Sequence, residues 1–245
     1  MDSAANDYVI DLTQLLARAA DGDTIILINP DNPSGQFMER QTLLAFLTAC
    51  QNKGVRCVVD ESFVDFAEPE KRFTLLSDDI LQTHPELVVV KSISKSYGVP
   101  GLRLGIVASA DTELLQHMQN AMAIWNINSF AEYFLQIYGL YANAYPKACD
   151  RIAENRRQLT AELTAIPYLA PYPSQANYVM CRVLPPWTAD TLATRLLTKH
   201  NILIKSLSAK SGFEGKEYIR IAVKDQKEND ALISALKGDF LYETH

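Results

Sequence analysis

The sequence of 245 residues lacks the features that mark several classes of protein. It has only four cysteines, none of them in a Cys-x-x-Cys pair, and no histidine stands at metal-ligand spacing from them. Neither a disulfide scaffold nor a metal site is therefore predicted. No apolar run is long enough to cross a membrane, and the N-terminus lacks the basic and apolar regions of a signal peptide. We expect a reduced, cytoplasmic protein that does not associate with membranes.

The chain also has no excess of positive charge. Its 29 acidic and 23 basic residues give a net charge of −6, which argues against nucleic acid as the main partner. A local cationic pocket for a small anion is still compatible with this balance. The apolar fraction of 48% is ordinary for a globular protein and suffices for a sizeable core.

Short apolar runs alternate with helical patterns in the first half of the chain. Four runs predict strands, at residues 24–29, 55–60, 87–91 and 104–109. Because these runs are apolar on both faces, they predict a mostly parallel sheet covered on both sides by helices. The helical patterns lie at residues 39–53, 111–124, 129–141 and 145–166. The fold class predicted for this half is α/β.

The pattern changes after the long helix at 145–166. Strands are predicted at 177–183, 202–206 and 217–223, and helices at 188–200 and 225–236. We therefore expect a large domain over residues 1–150 and a small C-terminal α+β domain over residues 151–245, with the boundary inside the long helix.

Four polar clusters lie at or after predicted strand ends, where ligands bind in open α/β sheets. They are NPDNPSG at 29–35, DESF at 60–63, KSISKSYGVPGLRLG at 91–105 and YIRIAV at 218–223. Each has an ordinary explanation by itself: a turn, a helix cap, a polar loop with a surface lysine, and a strand with an outward arginine. Three of them also fit a binding or catalytic role. Asp60 could hold a pyridinium nitrogen protonated. Lys95 could form an imine beside serines and Arg103 that could hold a phosphate, and Arg220 could bind a carboxylate. The NPDNPSG string by itself does not establish a site.

Together and in this order, the four strings resemble the fold-type-I pyridoxal-phosphate (PLP) enzymes of aminotransferase classes I and II. The resemblance is strongest to histidinol-phosphate aminotransferases and threonine-phosphate decarboxylases. It implies a PLP-dependent transferase-like large domain and a homodimer. It also implies a small-molecule amino-acid substrate that is anionic or phosphorylated.

The resemblance implies a role for residues that match the family's pattern. Lys95 would form the Schiff base with PLP and shuttle the substrate Cα proton. Asp60 would pair with the pyridinium nitrogen, and Asn32 would bind the ring's phenolic oxygen. The cofactor phosphate would be contacted by Ser92, Ser94 and Arg103. The substrate α-carboxylate would be bound by Arg220, with Asn177 at the same end of the site.

Two departures from the family's pattern stand out. Phe63 occupies a position that is usually tyrosine in the aminotransferases, so a hydrogen bond to the phenolic oxygen is absent, and DESFVDF is more similar to the decarboxylase branch. Family members also have a phosphate-binding loop and a ring-stacking aromatic residue before the NPDNPSG strand. Their absence here predicts a fragment, a fusion piece or a shortened relative.

Three functions remain open at this point. They are a PLP-dependent aminotransferase, a PLP-dependent phospho-amino-acid decarboxylase, and a catalytically incompetent remnant that serves in dimerisation or regulation. Within the loop at 123–129, Trp125 and Asn128 could line a substrate pocket, although Trp125 is expected to pack beneath the helix that follows.

Overall fold

The computed structural model describes residues 8–213 and 215–241. The chain divides into two compact units. The first consists of the chain up to Asp31 together with Gln36–Cys149, and the second consists of Asn32–Gly35 together with the chain from Asp150 onward. The division falls inside the long helix α7 (Ala144–Thr164).

A four-stranded sheet forms the centre of the first unit. Strands β1 (Thr24–Ile28), β2 (Arg56–Asp60) and β3 (Leu87–Lys91) run parallel, and β4 (Ile106–Ser109) pairs antiparallel with β3. All four predicted strands are present, and the prediction of an α/β fold with a mostly parallel sheet is confirmed.

In the first unit, the helices predicted at 39–53, 111–124, 129–141 and 145–166 are present near those positions, whereas the helices at 78–83 and 93–96 were not predicted. The helices of this unit are α1 (Leu12–Arg18), α2 (Arg40–Asn52), α3 (Asp78–Thr83), α4 (Ile93–Ser96), α5 (Thr112–Ala121), α6 (Ser129–Ile137) and the start of α7. Side chains cap three of them, since Asp11, Asp111 and Asn128 each accept a hydrogen bond from the first turn. A 3-10 turn at Tyr138–Tyr141 replaces the predicted end of α6.

Helices α1 and α2 cover one face of the sheet. Leu43 and Leu47 of α2 pack with Leu27 and Val59 in one buried cluster. The prediction that helices cover both faces is wrong at the edge strand β1, where Ile26 on the opposite face is 69% exposed. Successive side chains of a strand point to opposite faces, so one helical layer buries only every second residue.

The second unit contains an antiparallel sheet in the order β5-β6-β8-β7. Its strands are β5 (Leu169–Pro171), β6 (Tyr178–Val183), β7 (Lys205–Ser206) and β8 (Tyr218–Ala222). Helices α8 (Ala189–His200) and α9 (Gln226–Leu241) pack on this sheet through a core that includes Leu192, Leu196 and Ile219. Strand β5 was not predicted, and the strand expected at 202–206 is reduced to its last two residues.

All four cysteines are buried and none forms a disulfide with another cysteine, and the burial of Cys57 agrees with the apolar run around it. Across residues 8–213 and 215–241, no helix combines the length and apolar character needed to cross a bilayer.

Candidate active site

The carboxyl ends of β2 and β3 bring two of the predicted clusters to one edge of the sheet. Asp60 is the last residue of β2, and it lies in register with Val90 of β3. Because the two strands are parallel, residues 60–63 and the segment from Lys91 to Lys95 leave the sheet on the same side. The first unit therefore collects a carboxylate and two lysines at this edge.

Ser62 holds the Asp60 carboxylate. The backbone N–H of Ser62 donates to Asp60 Oδ1 at 2.8 Å, and the Ser62 hydroxyl donates to the same oxygen. The Ser62 hydroxyl in turn accepts a hydrogen bond from the backbone N–H of Ser92 at 3.0 Å. Ser62 is only 2% exposed, so this chain of bonds links the loop after β2 to the loop after β3 in a dry environment.

The amine of Lys95 lies beside an aromatic ring. Lys95 is exposed on the short helix α4, and its Nζ is 4.6 Å from the centre of the buried Phe63 ring. In the described part of the chain, no carboxylate lies within ion-pair distance of this amine. The amine therefore rests on an apolar surface without a fixed counter-charge.

Ser94 and Leu104 close the segment between Lys95 and Arg103, and we refer to this pair as the clasp. The Ser94 hydroxyl accepts from the Leu104 backbone N–H at 2.8 Å, and the Ser94 N–H donates to the Leu104 carbonyl at 3.3 Å. Ser94 is 2% exposed. Its hydroxyl was predicted to contact a phosphate, but the side chain is buried and bonded to Leu104. The clasp thereby holds the neighbours of Lys95 and Arg103 together.

Arg103 adopts an unusual backbone conformation. Its φ of 58° and ψ of 45° lie in the left-handed region, which costs a non-glycine residue about 1–2 kcal/mol. Its side chain is exposed, and Nη1 donates to the Pro100 carbonyl at 3.3 Å. A strained residue that its surroundings hold in place is a common feature of functional sites.

The second unit brings two of the predicted residues into contact, and a third directly precedes β6, the strand that pairs with β8. Arg220 Nη1 donates to Asn32 Oδ1 at 2.6 Å, and the Arg220 guanidinium lies 5.0 Å from the centre of the Tyr178 ring. Asn177 directly precedes Tyr178, and its backbone carbonyl accepts from the Val223 N–H at 2.8 Å. Arg220 is only partly buried and is held by an amide and a ring, which suits a guanidinium that binds a carboxylate.

The two asparagines of NPDNPSG have different roles. Asn29 is 1% exposed and bonds the backbone of Met38 twice, through its Oδ1 at 2.8 Å and its Nδ2 at 3.2 Å. It therefore shapes the loop, whereas Asn32 bonds Arg220. Gly35 has a φ of 76°, and a Cβ at this position would collide with Ser174, so only glycine suits it.

Asp65 forms a second polar network behind the edge of the sheet. Its two oxygens accept from Lys91 Nζ at 2.7 Å and from the Tyr145 hydroxyl at 2.6 Å. The Tyr145 ring lies 4.1 Å from the ring of Tyr97, whose hydroxyl bonds Tyr138 at 3.0 Å. The segment that carries Lys95 is thus held on both sides, through Lys91 before it and Tyr97 after it.

Glu61 is also buried, at 1% exposure. Its oxygens accept from the Thr74 hydroxyl at 2.6 Å and from the Leu75 N–H at 2.7 Å. Burial raises the pKa of the Glu61 carboxyl above its ordinary value, and these hydrogen bonds and the charge of Lys91 oppose the shift. Glu61 thus links the loop after β2 to the segment before α3.

Comparison with known families identifies the family of this chain. The model of the family described as aminotransferase class I and II matches residues 2–236. The chain belongs to this family. Its fold is also similar to that of the histidinol-phosphate aminotransferase from Clostridium acetobutylicum. That structure shares 26% identity with a TM-score of 0.84, over 95% of this chain and 68% of the other.

Two curated relatives are similar over most of this chain. The CMP-5'-(3-aminopropyl)phosphonate synthase of Streptomyces rubellomurinus is 35% identical over 87% of this chain and 33% of its own length. The L-serine phosphate decarboxylase of Sulfurospirillum multivorans is 32% identical over 88% of this chain and 55% of its own length. The chain thus spans between a third and about half of the length of these two proteins.

Some contacts around the site of this aminotransferase class I and II chain were not predicted from its sequence. Ser62, Lys91 and Asp65 lie inside or beside the strings that carry the resemblance, but their contacts depend on neighbouring strands. The expected packing of Trp125 beneath the following helix is wrong, since Trp125 is 91% exposed. Asn128 caps that helix instead and also bonds the Leu102 carbonyl.

Proposed function

We propose that this chain is part of a PLP-dependent decarboxylase that acts on an amino acid with a phosphorylated side chain. The observation that carries the proposal is the position of the Lys95 amine, which lies against Phe63 and next to the clasp that holds Arg103. A lysine amine that has no carboxylate partner among the residues the structure describes is suited to covalent chemistry with an aldehyde.

The side chains of the first unit fit PLP chemically. Lys95 offers an amine, Asp60 a carboxylate and Arg103 a guanidinium for a phosphate. Asp60 also has one oxygen, Oδ1, fixed by Ser62, while no donor to its Oδ2 is found among the described residues. A free carboxylate oxygen on a rigid support is what a protonated ring nitrogen requires.

Bound PLP supplies an electron sink for the substrate bond that breaks at Cα. Lys95 would hold the cofactor and return a proton to the substrate Cα. Asp60 would keep a proton on the ring nitrogen, because the negative carboxylate favours the charged form of the ring. In the second unit, Arg220 would bind a carboxylate of the substrate, with Asn32 orienting its guanidinium. The hydrogen bond from Asn32 to the ring oxygen of the cofactor stays a prediction.

Decarboxylation is favoured over transamination by two observations. Phe63 lies beneath the amine of Lys95, where the aminotransferase pattern has tyrosine. In addition, the relative that is 32% identical is named as a decarboxylase of serine phosphate. Transamination remains the second candidate, because the structural relative at a TM-score of 0.84 is a histidinol-phosphate aminotransferase and the cofactor residues are shared.

The first test is the visible absorbance of the purified chain with added PLP. We expect an absorbance band that is present in the parent chain and absent in Lys95→Ala. Borohydride reduction followed by peptide mass spectrometry should locate the label on Lys95. No band in the parent chain, or an equal label in Lys95→Ala, would contradict the proposed role of Lys95.

The second test separates the two reactions. The chain with PLP is incubated with O-phospho-L-serine or O-phospho-L-threonine, with and without 2-oxoglutarate as amino acceptor. Release of CO₂ that does not require the acceptor supports the decarboxylase. Formation of glutamate without CO₂ release would replace it with the aminotransferase. Size-exclusion chromatography with light scattering of the same sample tests the predicted homodimer.

A further inference from the structure

We infer that Asn128 is a positioning residue for Arg103, which it holds in the conformation that binds the phosphate of the cofactor. The inference rests on the proposed function, because the ligand of Arg103 is taken from it. Neither the helix cap at Asn128 nor the left-handed backbone of Arg103 supports this role by itself. The support comes from a hydrogen bond that connects Asn128 to the peptide group before Arg103.

Both the oxygen and the nitrogen of the Asn128 side-chain amide form hydrogen bonds. Its Oδ1 accepts from the Ala131 N–H at 3.0 Å and caps α6, while its Nδ2 donates to the Leu102 carbonyl at 2.9 Å. The first bond satisfies the start of a helix, as an asparagine at this position commonly does. The second bond reaches 26 residues back along the chain to the residue before Arg103 and is not needed for the cap.

The bond to Leu102 acts directly on the backbone of Arg103. The Leu102 carbonyl and the Arg103 N–H belong to one planar peptide group, so fixing the carbonyl orients the bond about which the φ of Arg103 is measured. On the other side, the Leu104 N–H is fixed by the Ser94 hydroxyl at 2.8 Å. Both peptide groups that flank Arg103 are therefore held by side chains from elsewhere in the first unit.

This support is required because arginine does not favour the left-handed region. With φ at 58°, Arg103 would relax toward ordinary backbone angles if one flanking peptide were released. The guanidinium would then lose its fixed direction while keeping its charge. Asn128 would thus affect the binding of a phosphate without touching it.

The test compares PLP with pyridoxal, which has the aldehyde but lacks the phosphate. Both are titrated into the chain and followed by the absorbance that depends on Lys95. In Asn128→Ser the hydroxyl can still cap α6, because serine is as good a cap as asparagine, but it is too short to bond Leu102. We expect the affinity for PLP to fall about 5- to 10-fold, the effect of one lost hydrogen bond, and that for pyridoxal to change less than about twofold.

Two controls isolate the effect. Asn126→Ser makes the same substitution two residues away, where the amide donates to the sulfur of Met122 and bonds no other described residue, and it should leave both affinities unchanged. Asn128→Ser in the Arg103→Ala background should cause no further loss of PLP affinity, because Asn128 affects PLP binding only through the Arg103 side chain. The helix content and melting temperature of each variant show whether α6 remains folded.

The inference is overturned if Asn128→Ser weakens PLP and pyridoxal equally, or if its effect persists without the Arg103 side chain. Unchanged PLP affinity in Asn128→Ser would overturn it as well. A parent chain that gives no Lys95-dependent band with either aldehyde contradicts the proposed function, and with it the assignment of phosphate to Arg103. The failures of the inference and of the function are thus distinguishable.

Discussion

Lys91 is the last residue of β3 and Lys95 follows four residues later, yet their surroundings differ. The Lys91 ammonium is 2.7 Å from Asp65, and the two side chains are only 11% and 16% exposed. Lys95 is exposed, and its amine contacts the ring of Phe63. One lysine is held by an opposite charge at low exposure, and the other is left accessible on an apolar surface.

The difference would let one short segment combine rigidity with the reactivity that we propose for Lys95. A lysine in a buried ion pair is a structural element, because its charge cannot be removed without leaving the partner unpaired. A lysine that reacts with an aldehyde must offer a free amine. The Lys91–Asp65 pair and the Tyr145–Tyr97 contact fix the segment so that Lys95 itself needs no partner.

Replacing each lysine with methionine should show the difference between the two positions most clearly. We expect Lys91→Met to lower the free energy of unfolding by about 2–4 kcal/mol, because Asp65 would keep a charge without its counter-ion at low exposure. Lys95→Met should cost less than about 1 kcal/mol, the usual strength of a cation–π contact at an exposed site. Urea unfolding of the two variants and the parent chain measures both values.

The double variant Lys91→Met/Asp65→Asn serves as the control for this prediction. It removes both charges, so it should be more stable than Lys91→Met alone if the unpaired carboxylate causes the loss. Equal losses for Lys91→Met and Lys95→Met would show that the two lysines are not distinguished in the way we describe.

Breaking the clasp between Ser94 and Leu104 should have a smaller effect on the free energy of unfolding. Ser94→Ala should reduce the free energy of unfolding by about 1–2 kcal/mol, because the Leu104 N–H would lose its buried acceptor. The matched variant is Ser92→Ala, whose own hydroxyl makes no hydrogen bond to another described residue, and it should cost less than about 0.5 kcal/mol. A cost for Ser92→Ala as large as that for Ser94→Ala would count against the clasp.

The smallest effect concerns Glu61 and the pH dependence of stability. Its raised pKa means that the folded chain binds the proton more tightly than the unfolded chain does. The stability gained from this proton is complete below the ordinary pKa, near 4.5, and is lost as the pH rises through the raised pKa. The free energy of unfolding should fall in this window by at most about 1.4 kcal/mol per pH unit.

Glu61→Gln should flatten this part of the stability curve, and Glu113→Gln, on the exposed face of α5, should leave it unchanged. Because the charge of Lys91 lowers the pKa of Glu61, Lys91→Met should extend the window to higher pH. Urea unfolding at several pH values between 4 and 8 provides the measurement. An unaltered slope in Glu61→Gln would mean that another group is responsible.

Much of the fold could be predicted from the sequence because its signals are local. The apolar runs that became β1 to β3 are separated by helical patterns with clear ends, such as Gly54 with its φ of 68° after α2. Strand β5 has three residues, and β7 has two, so neither carries a recognisable period. The uncovered face around Ile26 could not be predicted, because periodicity does not tell which faces receive a partner.

The candidate site residues divide in the same way, into those that a local string reveals and those whose contacts only the fold creates. Lys95, Asp60, Arg103 and Arg220 could be singled out because they stand in strings that resemble one family, and the chain belongs to that family. The partners of these residues were not predictable in this way. The hydroxyls of Ser62 and Ser94 and the amide of Asn128 bond backbone groups of Ser92, Leu104 and Leu102, which only the fold brings near.

The sequence by itself therefore determined the class of the fold, the family and the residue types available for chemistry, because these depend on composition and on short strings. The tertiary structure decided how each of these residues is held. Hydrogen bonds such as that from Asn128 to Leu102 join segments 26 residues apart, and the pair of Lys91 with Asp65 depends on the edge where β2 and β3 both end. Such contacts follow from strand register and loop geometry, which no local pattern encodes.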